Sequence, residues 1–597
     1  MKKLLPSIFI FFFSTHTAPS AEKIYADLVI RNAHVITVNT NQPTAEAVAV
    51  RGEKILFVGK NSAVEKFVGA STGIIDAKGR TVMPGIYDSH VHSYRASVSE
   101  LGGGAPFIRS IAEAQQWIRE QTGKKPPGSW VVLERVYATR LKEGRLPTKN
   151  ELDEAAPNNP VHWNSGPVSI ANSKALEISG VTRDTPNPTP GEIVKDSKTG
   201  EPTGLLRNAA QLLKGASSAY KPTPEEHRAA VKKLHALYNQ QGITSIGERR
   251  ADIEAINLFR DLARSDELTV RVNCTRMMEP VPKTLDEALK KLDEMSRGTV
   301  ETKLSTSNPH SPTSNYGPTG VGDDWVRIGP LKVLLDGGML IGTAYMREPW
   351  GVSDVYQITD PNYRGLLNVK PEILNPLYLE AAKRGWQLTA HCTGEASPDV
   401  LLDCYENIAR ELGDQKVRQQ RFLMTHANFQ FPENFERCKR LGISADIQPA
   451  WLYKDGASLA RILGDRRMKP FQPLKAWFDQ NLVIGGGSDH MVQLNSVEST
   501  NPWNPWLGIW IAVTRQTEHG EIDKPAQRLT REQAIRFYTI NNAYLNFEEK
   551  RKGSLEPGKF ADLIMIDRDI LKCPADDIRD TKVLLTLVGG KTVWERK

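Results

Sequence analysis

The sequence predicts an α/β protein: a (β/α)8 TIM-like barrel, a composite β-sandwich drawn from both termini, and an inserted lobe after the first barrel strand. Three observations predict it. Eight short, nearly continuous apolar runs recur through the middle of the chain, several of them separated by helical patterning, as expected of strands buried on both faces in a closed parallel barrel. Hairpin-type β patterning stands at both ends, and neither end carries enough strands to be stable alone. The gap between the first two runs is far longer than an ordinary βα connection. A chain of 597 residues also exceeds what one compact core accommodates.

The elements follow in order. Lys2 and Lys3 precede a mostly apolar run from Leu4 to Phe13, then small residues at Ala18, Ser20 and Ala21. Residues 1–21 therefore read as a signal peptide, because a membrane anchor needs roughly 20 apolar residues. The expectation is an exported protein, periplasmic or secreted, with no stable membrane insertion. Residues 22–80 carry Leu28-Val29-Ile30, His34 to Val38 and Ala47 to Val50, with a turn at Arg51-Gly52-Glu53 before Ile55 to Val58. Residues 547–597 repeat that grammar in Ala561 to Ile566, Val583 to Val588, a Gly589-Gly590 turn and Thr592-Val593-Trp594. The two pieces are expected to pair into one sandwich.

Between them, residues 81–546 form the barrel. Its runs are Thr81 to His92, Gly242 to Glu248, Leu268 to Cys274, Val326 to Leu335, Trp386 to Gly394, Arg421 to Phe429, Gly442 to Pro449 and Asn481 to Asp489. Helical stretches such as Pro224 to Gln241 and Leu285 to Arg297 lie between several of them. Residues 93–241 hold the inserted lobe, and Ser305 to Asp324 reads as a loop.

Composition narrows the function classes. With 40% hydrophobic and 25% charged residues, collagen, coiled coil and wholesale disorder are excluded. The net charge of +7 has no long basic run behind it, so nucleic acid is not an expected partner. Five cysteines without a Cys-x-x-Cys read as mostly free, buried thiols. The expected partner is a small-molecule substrate, and a homo-oligomer is left open.

The chemistry lies at strand ends. His90 and His92 close the first run, and the two-residue strand period puts both imidazoles on one face. His391 lies near the end of the fifth run, His426 near the end of the sixth and Asp489 at the end of the eighth, while Lys332 sits in the fourth between Leu331 and Val333. The chain has 12 histidines, and four fall at or near predicted strand ends, where barrels of this type place active sites. Neutral imidazole and carboxylate suit zinc and similar divalent ions. A lysine ammonium in an apolar strand must pair with an acid, lose its proton, or be carbamylated into an anionic oxygen ligand. With Lys332 carbamylated, four histidines and one aspartate can hold two ions sharing a hydroxide. The water's pKa then falls toward about 7, and Asp489 can carry its proton to the leaving group. With Lys332 paired instead to an acid such as Asp336, the site holds one ion.

Several motifs, in this order, resemble the amidohydrolase superfamily and, within it, amidohydrolase family 3, the YtcJ-like metal-dependent hydrolases. They are Pro84-Gly85 through His92, Leu146-Pro147-Thr148 with Glu151-Leu152-Asp153, Ala171 to Leu176, Gly200 to Gly204, Lys332 to Gly337, His391 to Gly394, His426-Ala427, Gly487-Ser488-Asp489 and Gly553 to Asp562. The resemblance covers nearly all of the mature chain. It implies a (β/α)8 barrel with a composite sandwich, zinc or a related divalent metal, and hydrolysis of C–N bonds other than peptide bonds. By matching motifs it makes His90, His92, His391, His426 and Asp489 metal or catalytic residues and Lys332 a carbamylated bridge. The chain departs from the family pattern at Ser165-Gly166-Pro167, where Asp-Gly-His is common, at Thr425, where an acid usually stands, and at Glu395, where Asp is common. These positions bear on the pocket more than on the metal core, so the substrate does not transfer by analogy.

Other residues have structural readings beside functional ones. His162 and Trp163 fit lobe packing as well as substrate contact. His490 points to the strand face opposite Asp489, and Cys392 fits buried filler better than a nucleophile. Arg347 and Arg515 read as surface salt-bridging residues or as binders of an acidic substrate group. The leading expectation is an exported amidohydrolase cleaving an amide-type C–N bond with a metal-activated hydroxide. An esterase or lactonase using the same site is the alternative, and a non-catalytic binding protein on the same scaffold stands further behind.

Overall fold

Eight parallel strands follow one another around a single sheet: Ile86–Val91, Ile243–Ala251, Arg271–Met277, Val326–Val333, Leu388–Cys392, Leu423–His426, Ser444–Ile447 and Ile484–Gly486. The computed structural model describes residues 23–101, 106–166, 168–189, 191–216, 220–297, 316–356, 358–520 and 524–597. The sheet nearly closes into a barrel. Asp489 N donates to His90 O at 2.7 Å and His92 N to His490 O at 2.8 Å, with a parallel bridge from Val91 to His490. This seam needs a glycine. A Cβ on Gly487 would stand 2.7 Å from His90 N, closer than packing permits. The hydrogen bonds that join the eighth strand to the first therefore also bring Asp489 beside His90 and His92.

All eight apolar runs overlap a barrel strand, the second and third strands running three residues past their runs, and the first run divides. Thr81–Pro84 leaves the barrel and pairs with His34, Val35 and Leu563–Ile566 in a six-stranded sheet. That sheet unites strands from both ends of the chain. It shares one core with a four-stranded sheet of Lys54–Gly59, Ala47–Arg51, Leu28–Arg31 and Gly73–Asp76, in which Ile30, Val48 and Val58 meet Val35, Val82, Leu563 and Leu587.

Between the first two barrel strands, five strands from Val131–Glu134 to Pro202–Arg207 form a separate sheet with its own core around Trp163, Leu133 and Leu152. Local sequence explains its helices. Thr148 caps helix Lys149–Ala155 while Glu151 reaches back to the Thr148 N–H, a reciprocal capping box. Asn172 caps helix Ser173–Ser179 and also accepts from Val161 N, tying the helix start to the sheet. Helix Pro224–Gln240 lies within the span expected for the lobe, yet buries Val231, Leu234 and Tyr238 in the barrel core.

The five cysteines are unpaired. No helix among the described residues is long and apolar enough to cross a membrane. The signal peptide expected over residues 1–21 lies outside the described residues, as do residues 305–315 of the expected loop.

Candidate metal centre

Parallel strands share one C-terminal rim, and this rim carries the ionisable side chains. Asp489 Oδ1 lies 3.3 Å from His90 Nε2 and 3.2 Å from His92 Nε2. The donor atoms of these three residues fall within 4.8 Å of one another. The arc continues through His426, whose ring centroid is 4.8 Å from that of His90 and 4.7 Å from that of His391. Trp451 stacks on His426 at 4.6 Å. Lys332 lies in the fourth strand, 3% exposed, and feels the charges of Asp446 and Asp489. The compact His90–His92–Asp489 group is thus one donor cluster, while His391 and His426 flank it by ring contact.

The other nitrogen of three of these imidazoles meets a buried oxygen. His90 Nδ1 lies 3.1 Å from Asp446 Oδ2, His391 Nδ1 2.7 Å from Asp336 Oδ1 and His426 Nδ1 2.6 Å from Gln448 Oε1. His92 Nδ1 stands 3.9 Å from Glu248 Oε1, too far for a hydrogen bond, and has no partner of its own. A ring that donates through Nδ1–H keeps its lone pair on Nε2, the tautomer that binds a metal. His90 Nε2 is buried and has no hydrogen-bond partner. An orphaned ring nitrogen beside a carboxylate oxygen is costly in a closed core and suits a divalent cation of the zinc type.

The acids behind the histidines are themselves fixed. Asp336 accepts from Thr393 N, Gly394 N and Ser397 Oγ as well as from His391. The Lys332–Asp336 ion pair expected of a one-ion site is not formed. Asp446 pairs with Arg249 Nε at 3.0 Å, and Arg249 also donates to Ser89 O.

Burial sets the protonation states. It lowers His92 to about 3 and holds His426 well below the usual imidazole value, with the charges of His391 and His90 adding to the effect on His426. Both rings are neutral at physiological pH. Burial opposes ionisation of Asp489, but the nearness of His90 and His92 outweighs it and keeps the carboxyl well below its ordinary value. Lys332 falls to about 8 through burial, against the pull of Asp446 and Asp489. The backbone is held in unusual conformations here as well. His426, Ala427 and Asp489 have φ of 74°, 43° and 54°, left-handed values that non-glycine residues adopt at a cost of about 1–3 kcal/mol when the surroundings enforce them.

The remaining residues singled out from sequence fall elsewhere. His162 bonds Ser169 Oγ, and Trp163 donates to Val136 O inside the lobe core. His490 lies between Tyr238 OH and Gln493 O. Cys392 is buried, which pushes its thiol up and away from the thiolate. Arg347 pairs with Asp399 and Glu433. Arg515, read as a surface salt-bridging residue or a binder of an acidic substrate group, is fully buried and donates to Gln472 O. Sequence reasoning missed Glu248, Arg249, Asp446 and Gln448. A charged side chain inside an apolar strand, and the two-residue spacing of Asp446 and Gln448, were the available signals.

A cavity of about 960 Å³ opens beside His92 and extends to the lobe, lined among others by Tyr94, Trp117, Arg135, Asn164 and Arg250.

Comparison with known proteins places this geometry among relatives. An amidohydrolase-family model matches residues 73–594. The N-substituted formamide deformylase of Arthrobacter pascens is 28% identical over 579 residues, covering 96% of this chain and 98% of that one. YtcJ of Bacillus subtilis is 26% identical over 541 residues, covering 89% and 92%. Among solved structures, an uncharacterized metal-dependent hydrolase from Pyrococcus horikoshii superposes with a TM-score of 0.65 at 22% identity, over 92% of this chain and 99% of that one, a likeness of fold.

Proposed function

The chain belongs to the amidohydrolase family, and from that premise we propose that it hydrolyses an amide-type C–N bond of a small-molecule substrate at a metal centre. The family and the deformylase relative support hydrolysis of a non-peptide C–N bond. The observation that carries the metal reading is the set of three imidazoles, His90, His391 and His426, whose Nδ1 atoms meet oxygen acceptors, with the unpartnered Nε2 of His90 next to an ionised Asp489. His90, His92, His391, His426 and Asp489 would hold zinc or a similar divalent ion, two in number if Lys332 is carbamylated to bridge them. A bound ion of this kind acidifies a coordinated water to a pKa of about 7 and polarises the carbonyl.

The rest is done by side chains. Asp489 is ionised and buried, and its carboxylate and backbone carbonyl are fixed by Asn501 Nδ2, so it is placed to accept a proton from the attacking water and return it to the departing nitrogen. Asp446, Asp336 and Gln448 hold three rings in one tautomer, so no reorientation accompanies the reaction. Lys332 near 8 is partly unprotonated at neutral pH, the form that adds carbon dioxide to give a carbamate. The charged start and apolar stretch of residues 1–21 support export to the periplasm or beyond.

The test is elemental analysis of the purified protein with turnover of a panel of N-substituted formamides, larger amides and esters. Bound divalent metal, amide turnover and its loss to a chelator with return on zinc addition are expected. Ester turnover without amide turnover would replace the reading with an esterase. A folded protein that binds no divalent metal would replace it with a binding protein.

A further inference from the structure

The large cavity beside His92 has one wall from the barrel and one from the lobe, and the lobe wall presents an arginine to it. Arg135 follows the lobe strand Val131–Glu134 and lines this cavity together with His92. Of the two other arginines that line it, Arg250 pairs with Glu279 at 2.5 Å, and the exposed Arg95 stands 4.0 Å from the same carboxylate. Arg135 is half-buried, and among the described residues no carboxylate forms an ion pair with it. Its polar surroundings are the Tyr137 hydroxyl and the more distant charges of Glu134 and Asp489.

Two backbone features show that this position is built. Arg135 has φ of 61°, a left-handed value rare for a residue with a long side chain, and its N–H donates to Asn164 O at 2.7 Å. Such strain persists where the surroundings enforce it, and it concentrates at ligand sites. Opposite, Gly166 has φ of 94°, and a Cβ there would stand 3.4 Å from Arg135 Nη1. That is ordinary contact distance, so it is the left-handed backbone that favours glycine at 166. No carboxylate among the described residues lies within ion-pairing reach of the fork, so its charge is met only by Tyr137 and by more distant acids, and an anion in the cavity would complete its bidentate donor set.

We propose that the substrate carries an anionic group, a carboxylate or its equivalent, and that Arg135 grips it and so determines specificity; this rests on the amide-hydrolase reading above. A planar guanidinium matches the two oxygens of a carboxylate. Arg135 and His92 line the same cavity, so an anion held by Arg135 shares that cavity with the candidate metal centre. Glu134, Glu254 and Asp261 also line the cavity, so selection favours a single anionic group rather than a polyanion. Tyr94 and Trp117 offer apolar faces to the remainder of the molecule.

The experiment compares N-formylphenylglycine with N-benzylformamide, which lacks only the carboxylate, using metal-loaded wild type, Arg135→Gln and Arg135→Lys. Wild type should prefer the acid by roughly 10- to 100-fold in kcat/KM, the range of one charge-assisted hydrogen-bonding group. Arg135→Gln should lose that preference through KM while turning over the neutral formamide as before, and Arg135→Lys should regain part of it. Equal turnover of the pair by wild type, or an equal loss of both in Arg135→Gln, overturns the proposal. If neither formamide is hydrolysed, the functional reading fails for this class. Calorimetric binding of phenylacetate then decides about Arg135: affinity at least about tenfold weaker in Arg135→Gln supports the anion site, while unchanged or absent binding refutes it.

Discussion

Asp446→Asn is the sharpest perturbation the structure offers, because it preserves shape and deletes one charge at full burial. Asp446 Oδ2 faces both His90 Nδ1 at 3.1 Å and Arg249 Nε at 3.0 Å, and Oδ1 accepts from His426 N at 3.3 Å. An asparagine has one acceptor for three donors. With its oxygen toward His90 and Arg249, its NH2 confronts the His426 N–H. Turned the other way, its NH2 confronts Arg249 and drives His90 to the tautomer protonated on Nε2, which cannot bind a metal. Either orientation leaves Arg249 without its counter-charge, and removing one member of a buried pair costs about 3–5 kcal/mol. Loss of a carboxylate that orients a ligand histidine weakens metal binding by about 10- to 100-fold, or about 1.4–2.7 kcal/mol. Urea unfolding of chelator-treated protein should therefore show the first loss alone, and unfolding of metal-loaded protein should show both. Metal retained after dialysis against graded chelator gives the second independently. The exposed Asp403→Asn, which loosens only a pair with Arg437, serves as the control and should change stability by about 0–1 kcal/mol. A stability for Asp446→Asn within about 0.5 kcal/mol of wild type, with metal retained equally well, would refute the reasoning.

Further outcomes follow from the same geometry. Lys332→Met should lower the metal bound per chain and the rate together, and short carboxylates such as propionate should restore part of both by supplying the missing oxygens; a variant with full metal content and full rate would show that Lys332 is no bridge. Cys392→Ala should keep the rate within a few-fold of wild type at a stability cost of about 1 kcal/mol, since the thiol is held protonated by burial, and loss of turnover with the metal retained would show otherwise. Trp163→Ala should destabilise by about 3–5 kcal/mol through the lobe core while leaving metal content intact, measured by denaturant unfolding beside elemental analysis.

The barrel was legible because its signal is redundant. A parallel strand buried on both faces must be apolar throughout, so each of the eight runs announced itself without help from its neighbours. Boundaries were less legible, for a physical reason. Thr81 to His92 reads as one run because both its parts are buried strands, and only the pairing of Thr81–Pro84 with Leu563–Ile566 separates them. Helix Pro224–Gln240 read correctly as a helix, but nothing local in it says that Val231 and Leu234 face the barrel core. Several motifs that carry the family resemblance turn out to be structural devices. The Thr148–Glu151 pair is a capping box and Asn172 is a cap that also ties down Val161, so they report the lobe's architecture and say little about its substrate.

The convergence of His90, His92 and Asp489 was legible from strand ends, whereas the residues that fix those rings were not, and the difference has a general cause. A ligand histidine stands at the end of a run, where the pattern changes and attention falls. Its orienting acid stands inside a neighbouring run, as Asp446 does within Ser444–Ile447. There the surrounding apolar residues make it look like an interruption of a strand. In a twice-buried strand, however, an ionised side chain survives only with a partner at the same height in the barrel. Every such interruption is therefore a prediction of a complementary group on another strand, and Asp446 with Arg249, or Asp336 with His391, satisfies it here. Arg135 in the lobe wall has no carboxylate within ion-pairing distance among the described residues, and a cation so placed on a cavity points outward, to something the chain does not itself contain.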